Sequence, residues 1–159
     1  MMVIEMIEVT GTGYVVRESM WFATDLETAF AGWTNSEAIA SWFGPPGYRA
    51  EVLELDLVPG GRWRFRMVPE VGQPSHHGGL YVEICRPERL VFTWESEEDK
   101  HLTNGRETLV TVTFTEEADG VRVGILHERL PTQGAVDALS QGWGRGIKRF
   151  NDWLGGLEA

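Results

Sequence analysis

The chain has 159 residues, of which 42% are hydrophobic and 11% aromatic, and its formal charge is −10 at pH 7. This length is typical of one domain with a substantial core, and the negative charge argues against a nucleic-acid backbone or an anionic membrane as a partner. A lone cysteine, the lack of a basic signal-peptide start and the lack of an apolar run of roughly 20 residues predict a cytoplasmic protein with no integral membrane association.

The first residues carry weak structural signals. Residues 1–13 are expected to form an N-terminal arm, which is either loose or an extra edge strand, ahead of a single domain over residues 14–159. Tyr14–Ala23 is rich in strand formers, although its alternation is too imperfect to assign a buried face.

Two short amphipathic helices are predicted next. Thr24 or Asp25 caps the first, and Asn35 or Ser36 caps the second. The sequence 44–47, Gly-Pro-Pro-Gly, ends the second helix because proline cannot continue a helix.

Alternating apolar residues from Ala50 to His127 predict six further strands, joined by short turns. In the first of them, Leu53, Leu55 and Leu57 are expected to share the buried face. Strand 79–84 is ambiguous, since periodicity favours its aliphatic face, with Val82, over the face that carries Tyr81 and Glu83.

A long amphipathic helix is predicted over Thr132–Leu157. Gly142 and Gly146 lie on the flank of its apolar face, where a missing side chain either lets a neighbouring backbone pack closely or leaves space for a ligand. Apolar residues at steps of three and four define that face: Val136, Leu139, Trp143, Ile147, Phe150, Leu154 and Leu157.

The order of elements predicts an α+β fold, with a curved antiparallel sheet of about seven strands and helices on one face. Five stretches occur in this order: 33–34 with 39–45, 58–65, 79–84, 87–94 and 142–143. Together they resemble one branch of the SRPBCC (START-like, birch-pollen-allergen-like) superfamily, the homologues of the activator of heat-shock-protein-90 ATPase.

The resemblance implies a helix-grip fold, in which the sheet wraps around the C-terminal helix and an apolar cavity lies between them. Relatives bind lipids, sterols, hormones or polyketide intermediates, and some cyclise or aromatise them. The eukaryotic co-chaperone carries this domain only as its C-terminal half, so a chain without the preceding domain is not expected to stimulate a chaperone ATPase directly.

Three functions stay open on the sequence. The first is binding of a small hydrophobic molecule without a cofactor. The second is an enzyme that acts on a hydrophobic carbonyl compound, with His127 or Glu83 transferring protons. The third is a co-chaperone or regulatory partner. We also expect a homodimer, from the aromatic content.

The candidate ligand-binding residues are those expected to face the cavity, and no catalytic or metal-binding residue is assigned. His76 and His77 do not form a metal pair, because adjacent residues of an extended chain point to opposite faces. His127 is either a core histidine with its hydrogen bonds satisfied or a polar anchor in the pocket. The resemblance implies that Tyr81 faces the cavity. The full set is Trp33, Leu55, Trp63, Phe65, Tyr81, Phe92, Trp94, Val112, Phe114, Ile125, His127, Leu139, Trp143, Gly146 and Ile147.

Overall fold

The structure is a computed structural model that describes residues 3–9 and 13–157. Within these residues, eight strands form one antiparallel sheet in the order β1-β2-β8-β7-β6-β5-β4-β3. The strands are β1 (Val3–Val9), β2 (Gly13–Phe22), β3 (Tyr48–Leu55), β4 (Arg62–Pro69), β5 (Ser75–Cys85), β6 (Arg89–Ser96), β7 (Thr108–Glu117) and β8 (Gly120–Leu130). The α+β helix-grip prediction is therefore confirmed.

The helices are α1 (Leu26–Thr34), α2 (Ser36–Trp42) and α3 (Gln133–Gly156), and a short 3-10 turn covers Lys100–Leu102. Each helix begins where a polar side chain caps it. The side chains of Asp25, Asn35 and Thr132 accept hydrogen bonds from the backbone N–H groups three residues further on, at 2.8, 3.1 and 3.0 Å. None of the described helices combines the length and apolar character needed to cross a bilayer.

The N-terminal segment takes up the edge-strand alternative. Strand β1 pairs antiparallel with β2, from Val3 opposite Ser19 to Val9 opposite Gly13. The other arm residues, 1–2 and 10–12, lie outside the described residues. The sheet therefore has one strand more than the seven that the sequence predicts.

A β-bulge in β3 overturns the prediction that Leu53, Leu55 and Leu57 share a face. The pairing with β4 shifts between Val52 and Glu54, so Leu53 is the extra residue and is 42% exposed. Beyond the bulge Leu55 lies opposite Trp63 and packs against the core. An inserted residue reverses the alternation, which simple periodicity cannot anticipate.

A second bulge, in β5, settles the ambiguous strand. The pairing with β6 shifts between Tyr81 and Glu83, and Tyr81 is buried whereas Leu80 and Val82 are exposed. The periodicity prediction was wrong here, and the face implied by the family resemblance is correct. Ile84 returns to the inner face after the bulge and packs against the core.

The core lies between the concave face of the sheet and the helices. Helix α3 packs against β2, where the rings of Phe22 and Phe150 meet edge to face with centroids 5.0 Å apart. Helices α1 and α2 add Trp33 and Trp42, whose rings also contact Phe150. The indole N–H of Trp42 donates to the carbonyl of Gly32 at 2.7 Å.

Trp63 and Phe65 are buried on the inner face, as predicted, but another aromatic ring separates Phe65 from the long helix. Phe43, at the end of α2, lies 5.2 Å from the ring of Phe65 and 6.2 Å from that of Trp143. The short-helix corner is therefore a layer between this part of the sheet and α3.

The bulge in β3 can be tested with two leucines of the same strand. Leu55→Ala should lower the free energy of unfolding by about 1–2 kcal/mol, because it removes partly buried methyl groups opposite Trp63. Leu53→Ala should change it by less than about 0.5 kcal/mol, since that side chain is exposed. Urea denaturation measures both, and a larger loss at Leu53 would contradict the bulge.

Candidate functional site

A cavity of about 230 Å³, partly open to solvent, lies between the first half of α3, the loop after α2 and the inner face of β4–β6. Most of its wall is apolar, and polar groups are gathered on one side. Its lining residues are Trp42, Phe43, Gly44, Pro45, Tyr48, Met67, Ser75, His77, Trp94, Asp99, Leu102, Ala138, Leu139, Gly142, Trp143 and Gly146.

Two glycines of α3 leave room in the wall. A Cβ atom on Gly146 would lie 3.9 Å from the nearest atom of Trp42 and 4.0 Å from the backbone of Gly44, which is ordinary van der Waals contact. A Cβ on Gly142 would meet nothing within 4 Å. Of the two explanations for these glycines, the geometry favours space over close packing.

The lip of the cavity is attached to α3 by Arg149. Its guanidinium donates to the carbonyl oxygens of Ser41, Phe43, Gly44 and Pro45 at 3.2, 3.3, 3.0 and 3.3 Å. The carbonyl of Ser41 belongs to the last turn of α2 and the other three follow it, where carbonyl groups lack helical hydrogen-bond partners. One side chain therefore caps α2 and fixes the loop beside the cavity.

His127 lies behind the cavity wall rather than in it. Its side chain is fully buried, Trp143 Nε1–H donates to its Nδ1 at 3.1 Å, and its Nε2 lies 2.7 Å from Thr108 Oγ1. Since Nδ1 accepts, the proton is on Nε2 and is donated to Thr108, whose hydroxyl donates to the carbonyl of Trp94 at 2.7 Å. Burial lowers the pKa of His127 to about 3.

This arrangement is that of a satisfied core histidine, the first of the two interpretations given above. Every polar atom of the imidazole is used, and none faces the cavity. Glu83, the other residue considered for proton transfer, is partly exposed and forms an ion pair with Arg89 outside the core.

Polar groups of the cavity gather where β5 begins. His77 is 8% exposed and its ring stacks on Trp94, with centroids 5.2 Å apart and planes 10° from parallel. Its Nε2 is 3.0 Å from Ser75 Oγ, and its Nδ1 is buried without a hydrogen-bond partner. Burial lowers the pKa of His77 in spite of the nearby Asp99, so the ring is neutral at pH 7.

His76 points to the opposite side of the sheet, so the prediction that the two adjacent histidines diverge is confirmed. Its Nδ1 is 2.6 Å from Glu98, and Glu97 is paired with Arg64 at 2.8 Å. Although His76, Glu97 and Glu98 could approach one ion, these groups already satisfy one another and Arg64 supplies a positive charge.

The predicted ligand-binding residues fall into three groups. Trp94, Leu139, Trp143 and Gly146 line the cavity. Trp33, Trp63, Phe65, Tyr81 and Phe92 surround a second space of about 20 Å³ under the short helices, which has room for about one water molecule. Six line neither space and pack in or against the core: Leu55, Val112, Phe114, Ile125, His127 and Ile147.

The sequence analysis missed the loop and the polar side of the cavity. From the sequence, Phe43 was assigned to the second short helix and Gly44 and Pro45 to its end, and none of the three was predicted to line the cavity. Ser75 and His77 could have been found from Tyr81, because alternate residues of β5 before the bulge share its inward face.

The fold and the cavity define a helix-grip protein in which a curved sheet and the C-terminal helix enclose a space. The profile of the family described as activator of Hsp90 ATPase homolog 1-like protein (AHSA1) matches residues 23–155. The chain therefore belongs to this family. No curated protein matches the chain in sequence.

Solved structures share the fold. A protein from Chromobacterium violaceum is 22% identical with a TM-score of 0.80, and the match covers 87% of this chain and 94% of that one. The AHSA1 protein from Silicibacter pomeroyi is 24% identical with a TM-score of 0.79, covering 91% and 99%. A protein from Arthrobacter aurescens is 16% identical with a TM-score of 0.82, covering 96% and 91%.

Another buried titratable group, Glu18, lies on β2 away from the cavity lining. It is 2% exposed, stands opposite Ile125 of β8, and neither carboxyl oxygen has a hydrogen-bond partner among the described residues. Burial raises its pKa from 4.5 to about 7. Its protonated form is therefore favoured by folding.

Glu18 and His127 should give opposite pH dependences. Between pH 4.5 and about 7 the folded state holds a proton on Glu18 that the unfolded state releases, so stability falls as pH rises. Between about pH 3 and 6.5 the unfolded state holds a proton on His127 that the folded state lacks, so stability rises with pH. The two slopes oppose each other where the windows overlap.

Glu18→Gln should remove the part of the pH dependence in which stability falls as pH rises. The variant should match the wild type near pH 4.5 and exceed it at pH 8 by on the order of 3 kcal/mol, measured by urea denaturation. Glu54→Gln, at an exposed position of β3, is the control and should show no such gain. Equal stabilities of Glu18→Gln and the wild type at both pH values would contradict a buried, unpaired carboxyl.

Proposed function

We propose that this protein binds a small, mainly apolar molecule in the cavity between α3 and the sheet. The observation that carries the proposal is a cavity of about 230 Å³ walled by Trp94, Leu139 and Trp143 and bordered by Gly146. A concave, mostly apolar space with a few convergent polar groups is the usual form of a small-molecule site. The family to which the chain belongs has a fold generally used for ligand binding.

The size of the cavity limits the ligand. An apolar cavity of about 150 Å³ accepts benzene. A space of about 230 Å³ therefore suits a substituted single ring or a compact bicyclic compound better than a sterol or a long acyl chain. Aromatic rings in the wall favour an aromatic ligand through edge-to-face and stacked contacts.

Binding is a better-supported function than catalysis. An enzyme acting on a carbonyl compound would need a proton-transfer group facing the bound molecule. Neither residue considered for this role from the sequence faces the cavity, because His127 uses both ring nitrogens within the core and Glu83 forms an ion pair on the outside. His77 and Asp99 do line the cavity, but His77 directs Nε2 to Ser75 and its Nδ1 is buried. The co-chaperone alternative has only the family name in its favour, and no feature of the described residues beyond the fold adds to it.

Cytoplasmic location and a homodimer complete the proposal. The acidic composition and the lone cysteine, Cys85, support the first. The dimer is supported by exposed aliphatic side chains such as Leu53, Leu80 and Val82. Light scattering at high protein concentration measures it, and a monomer mass would exclude it.

Gly146→Leu tests ligand binding. The new side chain should enter the cavity and prevent binding of the apolar probe α-methylstyrene, followed through the indole N–H signals of Trp94 and Trp143 in NMR spectra. Stability should be equal or higher, because replacing glycine inside a helix recovers roughly 0.5–1 kcal/mol.

Gly155→Leu is the matched control. Gly155 is an exposed glycine of the same helix, and a Cβ there meets nothing within 4 Å. This variant should bind the probe like the wild type. Unchanged binding by Gly146→Leu would contradict the proposal, and a loss of more than about 1 kcal/mol in its stability would mean that the glycine is needed for packing.

A further inference from the structure

The polar side of the cavity consists of Ser75, His77 and Asp99, which are set against an otherwise largely apolar wall. Ser75 and His77 lie two residues apart on β5 and therefore face the same side of the sheet. The stacking of His77 on Trp94 fixes the plane of the imidazole ring. Ser75 Oγ is thus held 3.0 Å from a ring nitrogen whose position is fixed.

The neutral imidazole carries one proton, and its environment decides which nitrogen holds it. Nδ1 is buried and has no partner among the described residues, whereas Nε2 faces Ser75 Oγ. Buried donors without a partner are rarer in folded proteins than buried acceptors without one. The proton is therefore on Nε2, and His77 donates to Ser75.

This direction leaves the Ser75 hydroxyl hydrogen unused. A hydroxyl has one donor and two acceptor positions, and His77 occupies one acceptor position. Among the described residues no other hydrogen bond involves Ser75 Oγ, which lines the cavity. A ligand that enters the cavity therefore meets an O–H group that can donate.

The charges around the cavity further restrict the class of ligand that can bind. Among the described residues that line the cavity there is no lysine or arginine, whereas Asp99 lines it and the carboxylate of Glu98 also acts on the ring of His77. A carboxylate ligand would be repelled here and would lose its hydration without gaining a cation. A neutral oxygen atom loses far less hydration free energy when it enters the cavity.

We infer that Ser75, oriented by His77, selects neutral ligands that carry a hydrogen-bond-accepting oxygen, above all the carbonyl of a compact aromatic ketone or aldehyde. The inference rests on the proposed binding function and gives that site its ligand class. Ser75 makes the contact and His77 is its positioning residue.

Three probes of nearly equal size and shape test the class: acetophenone, α-methylstyrene and benzoate. The first two differ only in C=O against C=CH₂, and benzoate replaces the methyl ketone with a carboxylate. Dissociation constants from NMR titration are compared for the wild type, Ser75→Ala and the control Ser19→Ala on the outer face of β2. Because the ketone is better hydrated than the alkene, the informative quantity is the change in the ratio of their constants.

Ser75→Ala should raise the dissociation constant of acetophenone roughly threefold to tenfold, as expected for the loss of one net hydrogen bond. The dissociation constant of α-methylstyrene should stay unchanged. His77→Phe should keep an aromatic ring stacked on Trp94 and should also raise the dissociation constant of acetophenone. Ser19→Ala should change neither constant, and benzoate should bind most weakly to every variant.

The outcomes separate this inference from the proposed function. Suppose that α-methylstyrene binds the wild type but Ser75→Ala leaves the ratio of the acetophenone and α-methylstyrene dissociation constants unchanged, either because neither constant changes or because both rise equally. The inference is then wrong, and the cavity proposal stands. If neither neutral probe binds the wild type, both are wrong. Long-range ¹H–¹⁵N NMR spectra of the histidine rings give an independent test, since a proton on Nδ1 of His77 would overturn the inference.

Discussion

The hydrogen bond from Trp143 on α3 to His127 on β8 joins the two halves of the helix-grip fold inside the core. It continues through Thr108 to the carbonyl of Trp94, so each group donates to the next in a single direction. A buried network is stabilising only when every member is satisfied, and here every nitrogen of the imidazole has a partner. The bond sets the helix at a fixed position over the sheet.

The same network determines the cavity. Its two end members, Trp143 and Trp94, are wall residues, one from the helix and one from the sheet. The indole of Trp143 is held by its hydrogen bond to His127, and the ring of Trp94 packs against the rings of His77 and His127. These contacts oppose rotation of either ring into the space between them. Arg149 holds the lip through hydrogen bonds to the carbonyls of the last turn of α2 and of the loop that follows it. The space therefore persists although large aromatic rings surround it.

Much of the fold could be predicted from the sequence, because caps such as Asp25 and Thr132 and the alternation in β4 are local signals. The face of each strand was less secure, since the bulges at Leu53 and Val82 insert a residue with no mark in the composition. The cavity was the least predictable part. Whether an aromatic residue lines space or fills it depends on rotamers and on loops such as residues 43–45, which no periodicity encodes.

The central claim is that the space beside Gly146 is a binding site. Diffraction from crystals soaked in α-methylstyrene tests it most directly, because it locates the probe. The account predicts electron density for the probe between Trp94, Leu139, Trp143 and Gly146, with the hydrogen bond from Trp143 to His127 intact. Density for the probe only elsewhere, or a cavity closed by rotation of Trp94 or Trp143, would contradict it.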